Sequence, residues 1–433
     1  MALGGGNFVT QNKVLPGAYI NFVSQANASA TLSDRGIATM PLVLDWGVEG
    51  AVFEVTADDF RKNSLKIFGY PYDHDKLKGL RDLFRNIHTL YAYRLNGGSK
   101  ASNAHAVAKF GGSRGNDLKI IIQQNVDDTS LFDVKTMFDS TVVDIQTVAS
   151  AGQLVANDYV TWTEANLAVT AGMSLSDGMT SVEDGASHQA YLDKIEAYSF
   201  NAMGVVETTD SVKALYEAFT KRMRDEVGKK FQCVLYNKAS DFEGIVNLKN
   251  KVTDTGCNEA SLVYWVTGIV AGCAVNKSNT NKLYDGEYTV DVDYTQLALT
   301  KAIQDGEFVL HKVGSEVRVL EDVNSLKTTS DTKGEIFKDN QTIRVIDQIA
   351  NDIAVLFNTQ FLGVVPNDAS GRISLWSAIV KHHEELQGIR AIENFSDKDV
   401  SVSQGNNKKS VVVRDAVTVV NAMSKLYMTV TVA

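Results

Sequence analysis

The sequence predicts a mixed α/β protein of several domains, with a β-sandwich set into it and an extended strand arm at each end. Three observations lead there. Strand-like runs alternate with segments of helical periodicity on both sides of residues 104–185. Across most of that stretch Lys and Arg nearly vanish: from Ile120 to Asp193 the only Lys or Arg is Lys135, while Val, Thr and Ala recur. Both ends of the chain alternate apolar and polar residues with period two and have no partner nearby in sequence, the pattern of a half-buried strand.

Taken in order, Pro16 and Gly17 suit a turn that leads into Tyr19, Ile20, Asn21 and Phe22. Residues 76–87 read as a helix and Leu90–Leu95 as the strand after it. Asn96–Lys100 and Gly111–Gly115 look like boundary loops, the second a flexible turn. Val142–Ile145 and Tyr159–Trp162 are short alternating strands of the sandwich. Ser211 can cap a helix that carries Val212, Leu215, Phe219, Met223 and Val227 on one face and stops at Gly228. Its wet face would hold Lys213, Glu217, Lys221, Arg224 and Asp225. Strands follow at Phe231–Tyr236 and Ile245–Leu248, then an apolar helix from about Glu259 to Cys273. Asp339 precedes a helix with Ile343, Ile346, Ile349, Ile353 and Leu356 at helical spacing. After a turn at Asn367–Gly371, a second helix places Ile373, Trp376, Ile379 and His383 on one face. Beyond Asp399, strands are joined through Gln404–Asn407. The chain ends on Leu426, Met428, Val430 and Val432, alternating with Tyr427, Thr429 and Thr431. An unpaired strand of this kind templates pairing with another chain.

Composition narrows the function. The net charge of −10 comes with no basic stripe, so nucleic acid is a poor partner. No apolar run reaches membrane-spanning length, and the first residues lack a secretory signal. Cys233, Cys257 and Cys273 form no CxxC pair, and their odd count argues against a disulfide framework. Chemistry is equally sparse. His383-Glu384-Glu385-Leu386-Gln387 begins like a zinc-protease motif but has Gln where the second His must stand. Gly111–Asn116 lacks the Lys-Ser/Thr ending of a phosphate loop. Asp291 and Asp293 would share one strand face, which acid–base work and a solvated surface explain equally well. No catalytic residue, metal ligand or cofactor site is expected.

Several segments together resemble contractile phage tail sheath proteins. They are Gly4–Phe8, Gln11–Val14 and Pro16–Phe22; Asp34–Ala38 with Met40-Pro41-Leu42 and Trp46-Gly47; Gly268–Gly272 with Asn276-Lys277-Ser278; Gly306–Leu310 through Val317–Leu320; and Ala422–Val430. They span most of the chain in the expected order. The resemblance implies a structural subunit of a phage tail or phage-tail-like bacteriocin, made in the host cytoplasm, with no enzymatic activity and no cofactor. It also implies self-assembly as stacked hexameric rings around a tail tube, alongside baseplate and tail terminator proteins. It implies neither a nucleic-acid partner nor membrane insertion. The intersubunit arms would be Tyr19, Ile20 and Phe22 at one end and Leu426, Tyr427, Met428, Val430 and Val432 at the other, with Gly17 as a hinge. The expected division is an arm and linker at 1–33, a middle domain at 34–103 and 186–325, the outward sandwich at 104–185 and a tube-proximal domain at 326–433. On that last domain Lys381, His382 and Arg390 would face the tube. Two alternatives stay open: a non-contractile tube or surface-layer subunit and, less favoured, an enzyme on the α/β core.

Overall fold

A computed structural model describes residues 32–432. They form two compact units, one of Ser33–Asn351 with Val419–Ala433, the other of Asp352–Thr418. The Tyr19, Ile20, Phe22 arm and the Gly17 hinge lie outside the described residues.

In chain order the larger unit opens with strand β1 (Ile37–Leu42), β2 (Val52–Thr56), helix α1 (Ala57–Phe68), α2 (Lys78–Phe84) and β3 (Thr89–Arg94). The inserted strands are β4 (Ala106–Ala108), β5 (Leu118–Gln124), β6 (Phe132–Phe138), β7 (Thr141–Val148), β8 (Val160–Trp162) and β9 (Thr170–Ser174). The chain then returns through α3 (Gly185–Ile195), β10 (Ala202–Val205), α4 (Asp210–Arg222), β11 (Gln232–Tyr236), β12 (Ile245–Leu248) and α5 (Val263–Gly272). After these come α6 (Gln296–Gln304), β13 (Glu307–Phe308), β14 (Leu310–Val313) and β15 (Glu316–Val319).

Seven strands make one sheet in the order β13-β12-β11-β10-β1-β3-β2. All neighbours are parallel except β2, which runs against β3. Helices cover both faces, so the central strands read as unbroken apolar runs rather than alternating ones. In β11, Cys233 and Leu235 pack with Tyr191, Tyr216 and Phe219 of α3 and α4. Val234 and Tyr236 pack on the opposite face with Leu80, Trp265 and Ile269 of α2 and α5. Helices α2 and α5 approach closely because glycine faces backbone there. A Cβ on Gly272 would lie 1.7 Å from the Asn86 carbonyl, and one on Gly268 would lie 2.7 Å from that of Leu83.

The insertion is a β-sandwich: a four-stranded antiparallel sheet β9-β5-β6-β7 faces the pair β4–β8. Leu118, Ile120 and Ile122 alternate into its core with Val134, Phe138 and Val160. Trp46, from the loop after β1, is fully buried in the same core. Its Nε1 donates to the Lys66 carbonyl of α1 at 3.0 Å, which ties the insertion to the α/β body. The glycine loop at 111–115 is a packed turn, not a loose one. Arg114 within it is buried, donates to Gly69 O and to Asp117 and Asp139, and stacks on Tyr70 and Phe138.

Helix α4 corrects its expected wet face. Lys213 is buried and donates to the Tyr236 carbonyl at 3.2 Å. Arg224 is buried because a π turn at Met223–Val227 adds a residue to the helical repeat and rotates the last positions inward. Residues 291–293, expected as a strand face, lie outside any regular strand.

Helix α7 (Asn340–Leu356) contributes its first turns to the larger unit and its last residues to the C-terminal one. There α8 (Ala369–Gly388) starts at Asp368, whose side chain accepts from the Gly371 amide at 2.8 Å. Strands β16 (Val400–Gln404) and β17 (Val411–Asp415) form a hairpin with Val400 opposite Asp415. Its core joins Leu375, Ile379, Val380 and Val400 to Phe357, Phe361 and Trp376.

Substituting Gly272 by Ala tests the α2–α5 contact. Alanine is the better helix former by about 1 kcal/mol, yet the clash with rigid backbone should dominate, for a net loss of about 2 kcal/mol or more in urea unfolding. A neutral or stabilising result would show that the helices can separate at no cost.

Candidate assembly surfaces

The larger unit carries a buried polar network at the first half of α7. Arg344 and Asp322 are both fully buried and paired at 3.0 Å. Arg344 also donates to the carbonyl of Lys277, in the Asn-Lys-Ser turn, at 2.7 Å. Asp322 accepts from the Asn279 amide and from Asn340 Nδ2, and Asn340 Oδ1 accepts from Gln232 of β11 at 2.6 Å. One turn further along, Asp347 takes a bidentate bond from Arg224 at 2.6 and 2.8 Å. Buried charges need such partners, since an unpaired one costs several kcal/mol. At the other motif, Arg35 donates to the Cys273 and Val270 carbonyls and so caps the C-terminal end of α5.

The same first turn of α7 holds the root of the C-terminal segment. Gln341 donates to the Val420 carbonyl and accepts from the Ala422 amide, both at 2.9 Å, and Thr342 bonds Asn421 at 3.2 Å. Beyond this root, residues 423–432 belong to no strand, and Leu426, Tyr427, Met428, Val430 and Val432 are 69–89% exposed. The segment expected as a strand arm forms no strand among the described residues.

Of the candidate tube-facing residues, Lys381 and Arg390 are exposed. His382 is not: it is fully buried and its Nε2 bonds Asp352 at 3.0 Å. It lies three residues after the inward-facing Ile379, so helical spacing alone carries it inside.

The sheet offers one further concavity. At the C-terminal ends of β1 and β10, where strand order reverses, a crevice of about 860 Å³ is lined by Pro41, Val205, His188, Glu207, Lys78 and Asp254. Open α/β sheets bind ligands at this position. The charged groups here are engaged by the fold: Lys78 pairs with Asp254 at 3.2 Å, Asp254 accepts from the Thr289 amide, and Glu207 accepts from the Thr208 and Thr209 amides. His188 bonds Tyr216 at 2.6 Å, and burial lowers its pKa. The Cys233 thiol is pushed up to about 12 by burial, which makes it a poor nucleophile. Among the described residues no cluster of three or more His, Cys, Asp or Glu is placed to hold a metal. No described helix is long and apolar enough to cross a membrane.

Comparison with known proteins gives these surfaces a class: four domain models of tail sheath proteins cover the chain almost end to end. The Gp18 domain III N-terminal region matches residues 35–95, the phage tail sheath β-sandwich domain 96–180, the central domain 182–325 and the C-terminal domain 332–433. The phage-like element PBSX protein XkdK of Bacillus subtilis strain 168 is 31% identical over 99% of this chain and 100% of its own. The crystal structure of the sheath tail protein of Desulfitobacterium hafniense superposes with a TM-score of 0.84 at 35% identity, covering 95% of this chain and 99% of that one. The contracted helical sheath of the anti-feeding prophage shares the fold at TM-score 0.57 and 11% identity, covering 97% and 99%. The chain belongs to the phage tail sheath family, a family of structural proteins.

Asp339, which caps α7 beside the arm root, tests the electrostatics. Its Oδ1 accepts from the Gln341 and Thr342 amides, while burial and then the Asp322 charge push its pKa up to about 6. A raised carboxyl binds a proton on folding, so its favourable contribution is full below about pH 4 and is lost as pH rises through 6. Asp339→Asn keeps the acceptor and removes the charge. Its unfolding free energy in urea should match wild type near pH 4 and exceed it by up to about 3 kcal/mol well above pH 6. A gap that does not change with pH would contradict this assignment.

Proposed function

We propose that this chain is the subunit of a contractile sheath and that its C-terminal segment is a strand donated to a neighbouring copy. The observation that carries the reading is the run Leu426, Met428, Val430 and Val432, exposed, alternating in sequence and outside any strand among the described residues, on a root fixed by Gln341 and Thr342. Burying each such side chain contributes about 1.5–3 kcal/mol, which gives the segment a strong drive toward a partner. The hairpin β16–β17 is a two-stranded sheet with room for further strands and is the acceptor that best fits. Alternate side chains would set the register, because a slip of one residue exposes the apolar set.

In this reading copies stack as hexameric rings around a tail tube, between baseplate and terminator proteins, and the particle is built in the host cytoplasm. Residues 1–33 supply the second arm through Tyr19, Ile20 and Phe22, with Gly17 as hinge. Contraction is a rigid-body movement of subunits that keeps the exchanged strands paired, and it drives the tube through the target envelope. Lys381 and Arg390 would touch the tube through exposed pairs of about 0–1 kcal/mol each, weak enough to release.

Two variants test the mechanism. A chain truncated after Lys425, and Met428→Asp, should both stay folded and monomeric by sedimentation. The intact chain, once concentrated, should form hollow striated cylinders by electron microscopy. Cylinders of normal appearance from either variant would refute strand donation, and a single cylinder diameter under all conditions would favour a non-contractile tube.

A further inference from the structure

The C-terminal unit contains a buried chain of four titratable groups. His382 and His383, adjacent on α8, are both fully buried, and their Nδ1 atoms lie 3.3 Å apart. His382 Nε2 bonds Asp352 of α7 at 3.0 Å, and His383 Nε2 bonds Asp415 at the end of β17 at 2.8 Å. The order is Asp352, His382, His383, Asp415, with three hydrogen bonds in series. Asp352 is buried, and the Asp415 side chain is about a quarter exposed.

Each link needs one proton, whichever of its two atoms carries it. Three links therefore hold three protons. Two carboxylates and two neutral imidazoles hold two, so the closed chain carries one more and a net charge of −1. Without that third proton, two imidazole lone pairs face each other at 3.3 Å. With a fourth, two N–H donors do. In either case the central bond is lost, and low dielectric around it makes an unmade bond costly.

We propose that this quartet is a proton-operated latch: it closes on three protons, and a fourth, taken up in acid, forces the two imidazoles apart and loosens the β16–β17 hairpin from α7 and α8. Among the described residues, the following groups face it. Helix α7 presents Asp352 and the hairpin presents Asp415, while the Phe395 ring lies 5.1 Å from that of His383. On α8 itself Lys381 and Glu384 are exposed and Glu385 is half-buried. Asp399, next to β16, is engaged by the Ser396 amide. Arg414 alternates to the opposite side of β17 from Asp415. Because the three bonds lie in series, the latch is a property of the chain of bonds and not of either histidine alone.

The test is amide hydrogen exchange of the full-length protein at pH 7.5 and pH 5.0, corrected for intrinsic rates, with the hairpin amides of Val400–Asp415 as the readout. Wild type should lose protection there about tenfold or more on acidification. His383→Gln, which cannot take up the fourth proton, should show little further change between the two pH values. Equal pH steps in both proteins, or none in wild type, would overturn the latch. Should the variant fail to fold, nitrogen-15 spectra of labelled histidine in wild type decide the matter. Three ring protons between His382 and His383 at pH 7.5, rising to four near pH 5, support it; two identical neutral rings at pH 7.5 overturn it. Protection that rises with added zinc and reverses with chelator would instead assign the paired Nδ1 atoms to a metal. Any effect of acid on polymers rests additionally on the hairpin being the strand acceptor, but the exchange measurement does not, so the two ideas fail separately.

Discussion

The larger unit depends on one buried ion pair, Arg344 with Asp322. Around it the chain brings together segments far apart in sequence: the Asn-Lys-Ser turn, the strand β11 through Gln232, the start of α7 and, one layer out, the root of the C-terminal segment. A buried ion pair contributes little net stability against an apolar substitute, but removing one partner is costly, so it specifies geometry more than it strengthens the fold. Here the geometry specified is the position of α7. Once that helix is placed, Gln341 and Thr342 are placed, and with them the direction in which the last residues leave the body.

How far the sequence was legible follows from the range over which each signal acts. Local periodicity is a short-range signal and it read well. The apolar runs of β11 and β12 and the spacing of Ile343, Ile353 and Leu356 appear in the structure as strands and a helix, whereas the alternation at 426–432, expected as a strand, lies exposed and outside any strand. Buried polar side chains are where it failed, because their partners are distant. Arg224 looked solvated because nothing near it in sequence announces Asp347, and the π turn that rotates it inward has no local signature. His382 was legible in principle: it sits three residues after Ile379, and a charge-based reading overruled the helical spacing. The Gly111–Gly115 turn looked loose because glycine allows looseness; contact with Arg114 and its partners removes it.

The two units solve the problem of burying polar groups differently. The larger one pairs guanidinium with carboxylate, Arg344 with Asp322 and Arg224 with Asp347. The C-terminal unit pairs carboxylates with imidazoles, Asp352 with His382 and Asp415 with His383.

The anchoring of the C-terminal segment has a mechanical meaning. Its root bonds run from Val420, Asn421 and Ala422 to side chains on the first turn of α7. Tension applied along the segment therefore enters the body at that turn, and the next groups in the load path are Asp322 and Arg344, each bonded to more than one partner, and Asp347, held by a bidentate bond from Arg224. Several bonds loaded together resist far more force than the same bonds broken one at a time. A rope is only as good as its cleat, and the chain has placed its cleat on the stiffest ground it possesses.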